Sequence, residues 1–496
     1  MSAPHEFSRR WLLGALLAGA ALPACANAPE RSKRPMARTS PASVAAAPRA
    51  AASSPGAAAL IEAARLGGRV SCAVVDMRSG VLLEAVAPHE PQPPASVAKA
   101  VTALYALDRL GEGHRFATRL IATGPVSGGR IAGDLVLSGT GDPTLTTDAL
   151  GDLAAALKAR GVQGITGRFL VHGAALPQLP LIDPEQPEHV GYNPAISGLN
   201  LNYNRVHFQW SRAQGGWAVR MDARADRFVP DVRMARMRVV DRDRPVYTYS
   251  TSGTVEDWTV ASRALGNGGS RWLPVRRPDL YAGEVFQTLA RAQGIALPDA
   301  QAVGRISGGA VLAEVTSPPL RTVARDMLRW STNLTAEVLG LSASGESGLT
   351  VSGARMAEWA AGHYGMQAAF VNHSGLGVGS RATAAGMARA LAQAGAGPLR
   401  PILRDFTMRD AQGREMRNHP LKVAAKTGTL NFVSGLGGYV TTPGGRDLAF
   451  AIFAADLPRR AGLAATERER PAGGREWTGR ARGMQSRLLE RWAAVF

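Results

Sequence analysis

The chain has 496 residues, 45% hydrophobic and 19% charged. That is ordinary globular composition, long enough to bury a large core and to hold more than one domain. The net charge is +18, but no basic helix or nucleic-acid module stands out, which argues against a nucleic-acid partner. Only five of the 57 basic residues are lysines: Lys33, Lys99, Lys158, Lys422 and Lys426. The Arg excess reads either as genomic base composition or as affinity for an anionic surface such as cell wall or outer-membrane lipid.

Residues 1–28 read as a signal peptide. Ser8, Arg9 and Arg10 precede a 12-residue apolar run from Trp11 to Leu22, too short to span a bilayer. The paired Arg resembles a twin-arginine export signal, although general export also accepts Arg here. Ala24-Cys25-Ala26 suits ordinary cleavage, and Leu22-Pro23-Ala24-Cys25 resembles a lipoprotein box, so a lipid anchor at Cys25 stays open. Either way an exported, periplasmic protein is expected. Residues 29–56, rich in Ala, Pro and Ser, read as a disordered linker. Cys72 sits in Val70-Ser-Cys-Ala-Val-Val75 and reads as a buried strand residue, with no internal disulfide expected.

Farther along, Arg69 to Asp76 and Val81 to Ala85 read as a hairpin. Pro93 to Lys99 opens a helix that runs to about Leu110, with Val97, Val101 and Leu104 at helical spacing. Ser96 falls in its first turn and Lys99 one turn on, on the same face. A Ser cap and a snorkelling Lys are the usual fate of such a pair. A lysine inside so apolar a helix needs a reason, however, and a desolvated lysine can take a proton from a neighbouring hydroxyl. Residues 119–278 read as an inserted β-rich body, with strands expected at 130–137, 167–172, 206–210 and 236–240 and a helix at 147–160. Asp142 reads as a turn residue. No catalytic pattern is visible in this body, and its Trp and Tyr read as core. Helices follow at 281–293 and within 319–341. The second carries Ser331-Thr332-Asn333, whose polar side chains suit a helix end or tight turn facing a cleft. His373, in the Gly-rich loop Asn372-His-Ser-Gly-Leu-Gly377, reads as a solvated loop residue more than as a base.

Near the C-terminus, Leu421 to Leu430 reads as a strand ending in Lys426-Thr427-Gly428-Thr429. Two apolar strands follow, Ser434 to Val440 and Leu448 to Ala455, which makes an antiparallel meander. Gly428 leaves room for a peptide to lie against the strand, and Lys426 suits that peptide's carboxylate. Trp477, Ala481, Met484, Leu488, Trp492 and Val495 form one helical stripe suited to covering a sheet.

Ser-x-x-Lys, Ser-x-Asn and Lys-Thr-Gly each occur once, in that order. This is the signature of serine β-lactamases and penicillin-binding proteins. The wide gap between the first two motifs, together with Gly141-Asp-Pro-Thr-Leu145, Leu199-Asn-Leu-Asn-Tyr-Asn204 and Ser331-Thr-Asn-Leu-Thr-Ala-Glu337, resembles the class C low-molecular-mass penicillin-binding proteins, the D-alanyl-D-alanine carboxypeptidase/endopeptidase family. The resemblance covers roughly residues 56–496. It implies an α/β (α+β) fold: a transpeptidase domain from residues 57–118 and 279–496, with an antiparallel sheet flanked by helices, carrying the large insertion. It also implies roles. Ser96 is the nucleophile, Lys99 its base, and Ser331 and Asn333 complete the proton network. Lys426, Thr427, Gly428 and Thr429 bind substrate. The implied substrates are peptidoglycan stem peptides, with β-lactams as covalent inhibitors, and neither metal nor cofactor is called for. Peripheral or lipid-anchored membrane association is compatible with the N-terminus. The loop at 372–377 departs from the family's usual Asp-Gly-Ser-Gly-Leu-Ser, which puts the cleft rim in question. A β-lactamase or esterase on the same scaffold, or an inactive cell-wall binding protein, remain the alternatives.

Overall fold

A computed structural model describes residues 55–395, 397–410 and 412–496. The expected signal peptide, Cys25 and nearly all of the expected linker lie outside the described residues.

One core is built on a six-stranded antiparallel sheet. Its order is 404–405, 422–430, 433–441, 447–455, 69–76 and 82–86. The expected hairpin (Arg69–Asp76 with Leu82–Val86) and the expected meander therefore share one sheet, with Arg69 opposite Ala455 and Asp76 opposite Leu448. The two middle strands of the sheet, Val433–Thr441 and Asp447–Ala455, are buried along almost their whole length. A strand covered on both faces is apolar throughout rather than alternating. Cys72 lies fully buried in the adjoining strand, and burial pushes its thiol up to about 12.

Helices Ala98–Leu110, Leu320–Trp330, Asn333–Ser344, Leu349–Tyr364 and Ala384–Ala394 build the core on one face of this sheet. The C-terminal helix Gly474–Val495 covers the other, with Trp477, Ala481, Met484, Leu488 and Trp492 buried against Leu436, Phe450 and Ile452. The apolar stripe read from the sequence is this contact face.

A second core holds the inserted body. It contains a five-stranded sheet, ordered 300–302, 169–172, 135–139, 117–122 and 310–316, and three three-stranded sheets. The expected limits of 119–278 fall short of it. Helix Pro278–Ala292 packs Tyr281, Val285, Phe286 and Leu289 into this second core, and strand Ala310–Thr316 pairs with Ala117–Ala122. The body thus runs from about 117 to 316. Periodicity located that helix, but periodicity does not say which core an apolar stripe will face. The single strand expected at 130–137 is two pieces, Arg130–Ile131 and Leu135–Gly139. Between them the backbone of Gly133 packs tightly against Thr123, leaving no room for a Cβ.

Candidate active site

Ser96 lies in a single 3₁₀ turn, Ala95–Val97, that feeds directly into helix Ala98–Leu110. The turn is tight: Ala95 is buried with φ 46°, a left-handed conformation that a non-glycine residue adopts at a cost. Motif strand Lys422–Leu430 lies directly against it. A Cβ on Gly428 would stand 2.8 Å from the Pro94 carbonyl oxygen and 2.9 Å from the Ser96 nitrogen. Gly428 is therefore required by the nucleophile turn, not by a passing peptide as the sequence suggested. Gly435, opposite it on the next strand, meets the same Pro94 oxygen.

Lys99 is fully buried one turn after Ser96. Its Nζ donates to Ser96 Oγ at 2.9 Å, to Asn333 Oδ1 at 2.8 Å and to the Ser374 carbonyl at 2.8 Å. Burial, reinforced by the charge of Lys426, holds its pKa well below the ordinary lysine value; Glu337 opposes the shift. All three bonds are donated only by the ammonium form; once neutral, the amine keeps Asn333 and the Ser374 carbonyl as acceptors and turns its lone pair to the Ser96 hydroxyl, an arrangement that can take the Ser96 proton.

Helix Leu320–Trp330 stops at Ser331, which is left-handed (φ 58°, ψ 39°), and a new helix begins at Asn333. This break is the tight turn expected from Ser-x-Asn. Ser331 Oγ accepts from Lys426 Nζ at 3.0 Å, so the second hydroxyl is tied to Lys426 rather than to Lys99. Asn333 bridges two bodies: Oδ1 accepts from Lys99, and Nδ2 donates to the carbonyl of Tyr192 in the inserted body at 2.9 Å. Lys426 is itself buried, and its second bond goes to the Thr427 carbonyl at 2.7 Å. Burial first, then the charge of Arg404, lowers its pKa to about 7.

Sequence reasoning missed Glu337. It is fully buried four residues after Asn333, and its carboxylate accepts from the backbone N–H of His373 at 2.8 Å and of Ser374 at 2.9 Å. That fixes the loop whose Ser374 carbonyl holds Lys99. The signal was present: an acid in an otherwise apolar helix needs a reason as much as Lys99 does. His373 is neither solvated nor a base. Its ring is buried, 6.4 Å from Tyr105 and nearly parallel to it, with Nε2 2.6 Å from Ser352 Oγ, and burial lowers its pKa to about 3. The departure at 372–377 thus sits beneath the cleft as packing. Asp142 accepts from Thr144 N and Oγ1 at 2.8 and 2.7 Å and is a turn residue, as expected.

Ser96, Ser331, Asn333 and Thr429 open onto one cleft of about 1150 Å³. Gln186 and Tyr192 bring the inserted body to its rim, although that body carries no catalytic pattern of its own. The far wall is residues 460–482, which contribute five arginines and two glutamates. Outside the motif strand, residues 404–405 pair only with Ala425 and Ala424. Among the described residues, the outer edge from Lys426 to Leu430 carries no strand partner. No group of three or more His, Cys, Asp and Glu is placed to hold a metal ion among the described residues.

The model of the D-Ala-D-Ala carboxypeptidase 3 (S13) family matches residues 57–470. A D-alanyl-D-alanine carboxypeptidase from Actinomadura sp. (strain R39) is 28% identical over 440 residues, 79% of each chain. The crystal structure of penicillin binding protein 4 from Haemophilus influenzae superposes with a TM-score of 0.70 at 19% identity, covering 88% of this chain and all of that one. A second structure of that protein, complexed with a β-lactam, gives a TM-score of 0.65 at 19% identity, covering 84% of this chain and 98% of that one.

Proposed function

The chain belongs to the D-Ala-D-Ala carboxypeptidase 3 (S13) family, and from that premise we propose how it cleaves peptidoglycan stem peptides as a serine-type D-Ala-D-Ala carboxypeptidase or endopeptidase. Ser96 Oγ attacks the carbonyl carbon of a D-Ala residue, and Lys99 takes the hydroxyl proton. The N–H groups of Ser96 and Thr429 hold the oxyanion, a contribution of about 3 kcal/mol in comparable sites. The carbon–nitrogen bond then breaks, the proton passing to the departing amine through Ser331. Water, deprotonated by Lys99, releases the acyl group and restores Ser96. The peptide adds to the open edge of the motif strand, as a strand adds to a sheet.

The observation that carries this reading is the 2.9 Å bond between Ser96 and a lysine that burial has stripped of its ordinary basicity. A β-lactam, whose strained amide offers the same carbonyl, acylates Ser96 without prompt release. This extends to the present chain what the β-lactam complex of its structural neighbour suggests. Fluorescent penicillin tests it. A covalent band is expected from the wild type and none from Ser96→Ala of the same fold; an equal band from the variant sinks the assignment. Export to the periplasm is part of the same proposal, since the substrate lies outside the cytoplasm. Uncleaved protein recovered in the cytoplasmic fraction and absent from the periplasmic fraction would contradict it.

A further inference from the structure

We infer that Arg482, on the C-terminal helix, is the cation that receives the free carboxylate of the substrate's leaving residue. This rests on the acylation chemistry above and assigns a further binding residue to it.

The argument begins with charge. A terminal carboxylate entering a partly dry cleft needs a cationic partner with a free face. Lys426 is a poor one. It is buried, both of its recorded bonds go inward to Ser331 Oγ and the Thr427 carbonyl, and it titrates near neutrality. Lys99 is buried behind Ser96, its amine enclosed by Ser96 Oγ, Asn333 Oδ1 and the Ser374 carbonyl. A guanidinium keeps its charge when desolvated and presents a planar fork that matches a carboxylate.

Arg482 has the right position. The C-terminal helix has two faces: Trp477, Ala481, Met484 and Leu488 are buried against the sheet, while Arg475, Thr478, Gly479 and Arg482 recur at helical spacing along the wall of the cleft. The Arg482 Nη2 lies 3.4 Å from the Oγ1 of Thr429, the exposed last threonine of the motif. Thr429 lines the same cleft as Ser96. In a peptide, the leaving residue's carboxylate follows the scissile carbonyl by a single residue, so the two ligands fall at neighbouring places on the strand.

Arg482 also lacks a partner of its own. The nearby Arg409 is engaged, with Glu415 at 2.7 Å and the Gly413 carbonyl at 2.8 Å. Among the described residues, no carboxylate lies within ion-pairing distance of Arg482, whose only recorded hydrogen bond is the one to Thr429. Burial first, then the charge of Arg409, work against the protonated guanidinium here, and the carboxylate of Glu415, itself paired with Arg409, offsets them only in part. A half-buried, unpaired cation facing the cleft is stabilised by an arriving anion.

The test compares two acylating agents that differ only in that carboxylate: benzylpenicillin and its methyl ester. The readout is the second-order rate of Ser96 acylation, followed by intact mass, for wild type, Arg482→Gln and Arg482→Lys. Wild type should prefer the free acid. Arg482→Gln should lose about 10- to 100-fold with the acid and little with the ester, with Arg482→Lys between them. Circular dichroism checks that both variants keep the fold. If Arg482→Gln is acylated with the wild-type preference for the acid, or slows both agents equally, the inference about Arg482 fails while the nucleophile assignment stands. If wild type is not acylated at Ser96 at all, the parent reading fails and this one with it.

Discussion

At the scale of single residues, the site depends on what is missing as much as on what is present. Gly428 is the clearest case. The atoms that an added Cβ would meet at 2.8 and 2.9 Å are backbone atoms of the nucleophile turn, which cannot swing aside as a flexible side chain would. Gly428→Ala should therefore push the turn off the strand, at a stability cost of about 1–3 kcal/mol. Because Ser96 N would move with it, the oxyanion donors lose their geometry, and acylation by penicillin should fall about 100-fold or more. Urea unfolding and acylation rates on one preparation check both halves. An active, destabilised variant would mean that the turn can move without harm to the chemistry. Glu337 argues a related point. Its charge is buried, and it is retained by two backbone donors that fix the loop cradling Lys99. Burial raises its pKa on balance, opposed by the Ser374 hydroxyl, by those two backbone bonds and by the charge of Lys99.

At the scale of elements, the loop at 372–377 and the helix Asn333–Ser344 fit as large against small. A Cβ on Gly340 would stand only 2.0–2.2 Å from three ring atoms of His373. Glycine in mid-helix costs about 1 kcal/mol relative to alanine, and here the space it leaves houses an imidazole. Gly340→Ala should therefore destabilise by about 1–3 kcal/mol instead of stabilising. The same substitution made on top of His373→Ala should cost far less, a coupling of about 1 kcal/mol or more in a double-mutant cycle. Additive losses would show that ring and helix do not compete for this space. The helices Leu349–Tyr364 and Ala384–Ala394, which flank the loop, were not expected from the sequence. The first contains Val351, Gly353 and Gly362, which dilute helical propensity, and tertiary packing overrides that weak preference.

At the scale of the whole molecule, the stretch 457–473 straps the catalytic core to the inserted body. Glu469 accepts from His189 Nε2 at 2.7 Å and from Arg271 Nη2 at 2.9 Å, and Arg468 donates to the Glu185 carbonyl at 2.9 Å. The His189 bond first, then that of Arg271, lowers the Glu469 pKa to about 2 from an ordinary 4.5. The folded form thus releases this proton more readily than the unfolded chain. The contribution is complete above about pH 4.5 and is lost as pH falls towards 2. Glu469→Gln should lower the thermal midpoint at pH 7, with the gap to wild type closing by about pH 2. The carboxylate is one-third exposed, so added salt should also narrow the gap. A gap that persists at pH 2 would assign the effect to packing.

The three motifs, the meander, the hairpin and the apolar stripe of the last helix were legible because each depends on local spacing. A period of 2 or 3.6 and a one-turn Ser–Lys pair are written into neighbouring residues. These features sufficed for the fold class. Tertiary structure decided which groups actually meet. Ser331 is bonded to Lys426, Asn333 reaches the Tyr192 carbonyl across 141 residues, and Glu337 acts on Lys99 through the Ser374 loop. It also gave helix Pro278–Ala292 to the second core and turned Arg482 towards Thr429. The physical reason is the same throughout. An apolar stripe or a charge specifies that it needs a partner, and only the closed chain, through burial and desolvation, determines which partner is within reach.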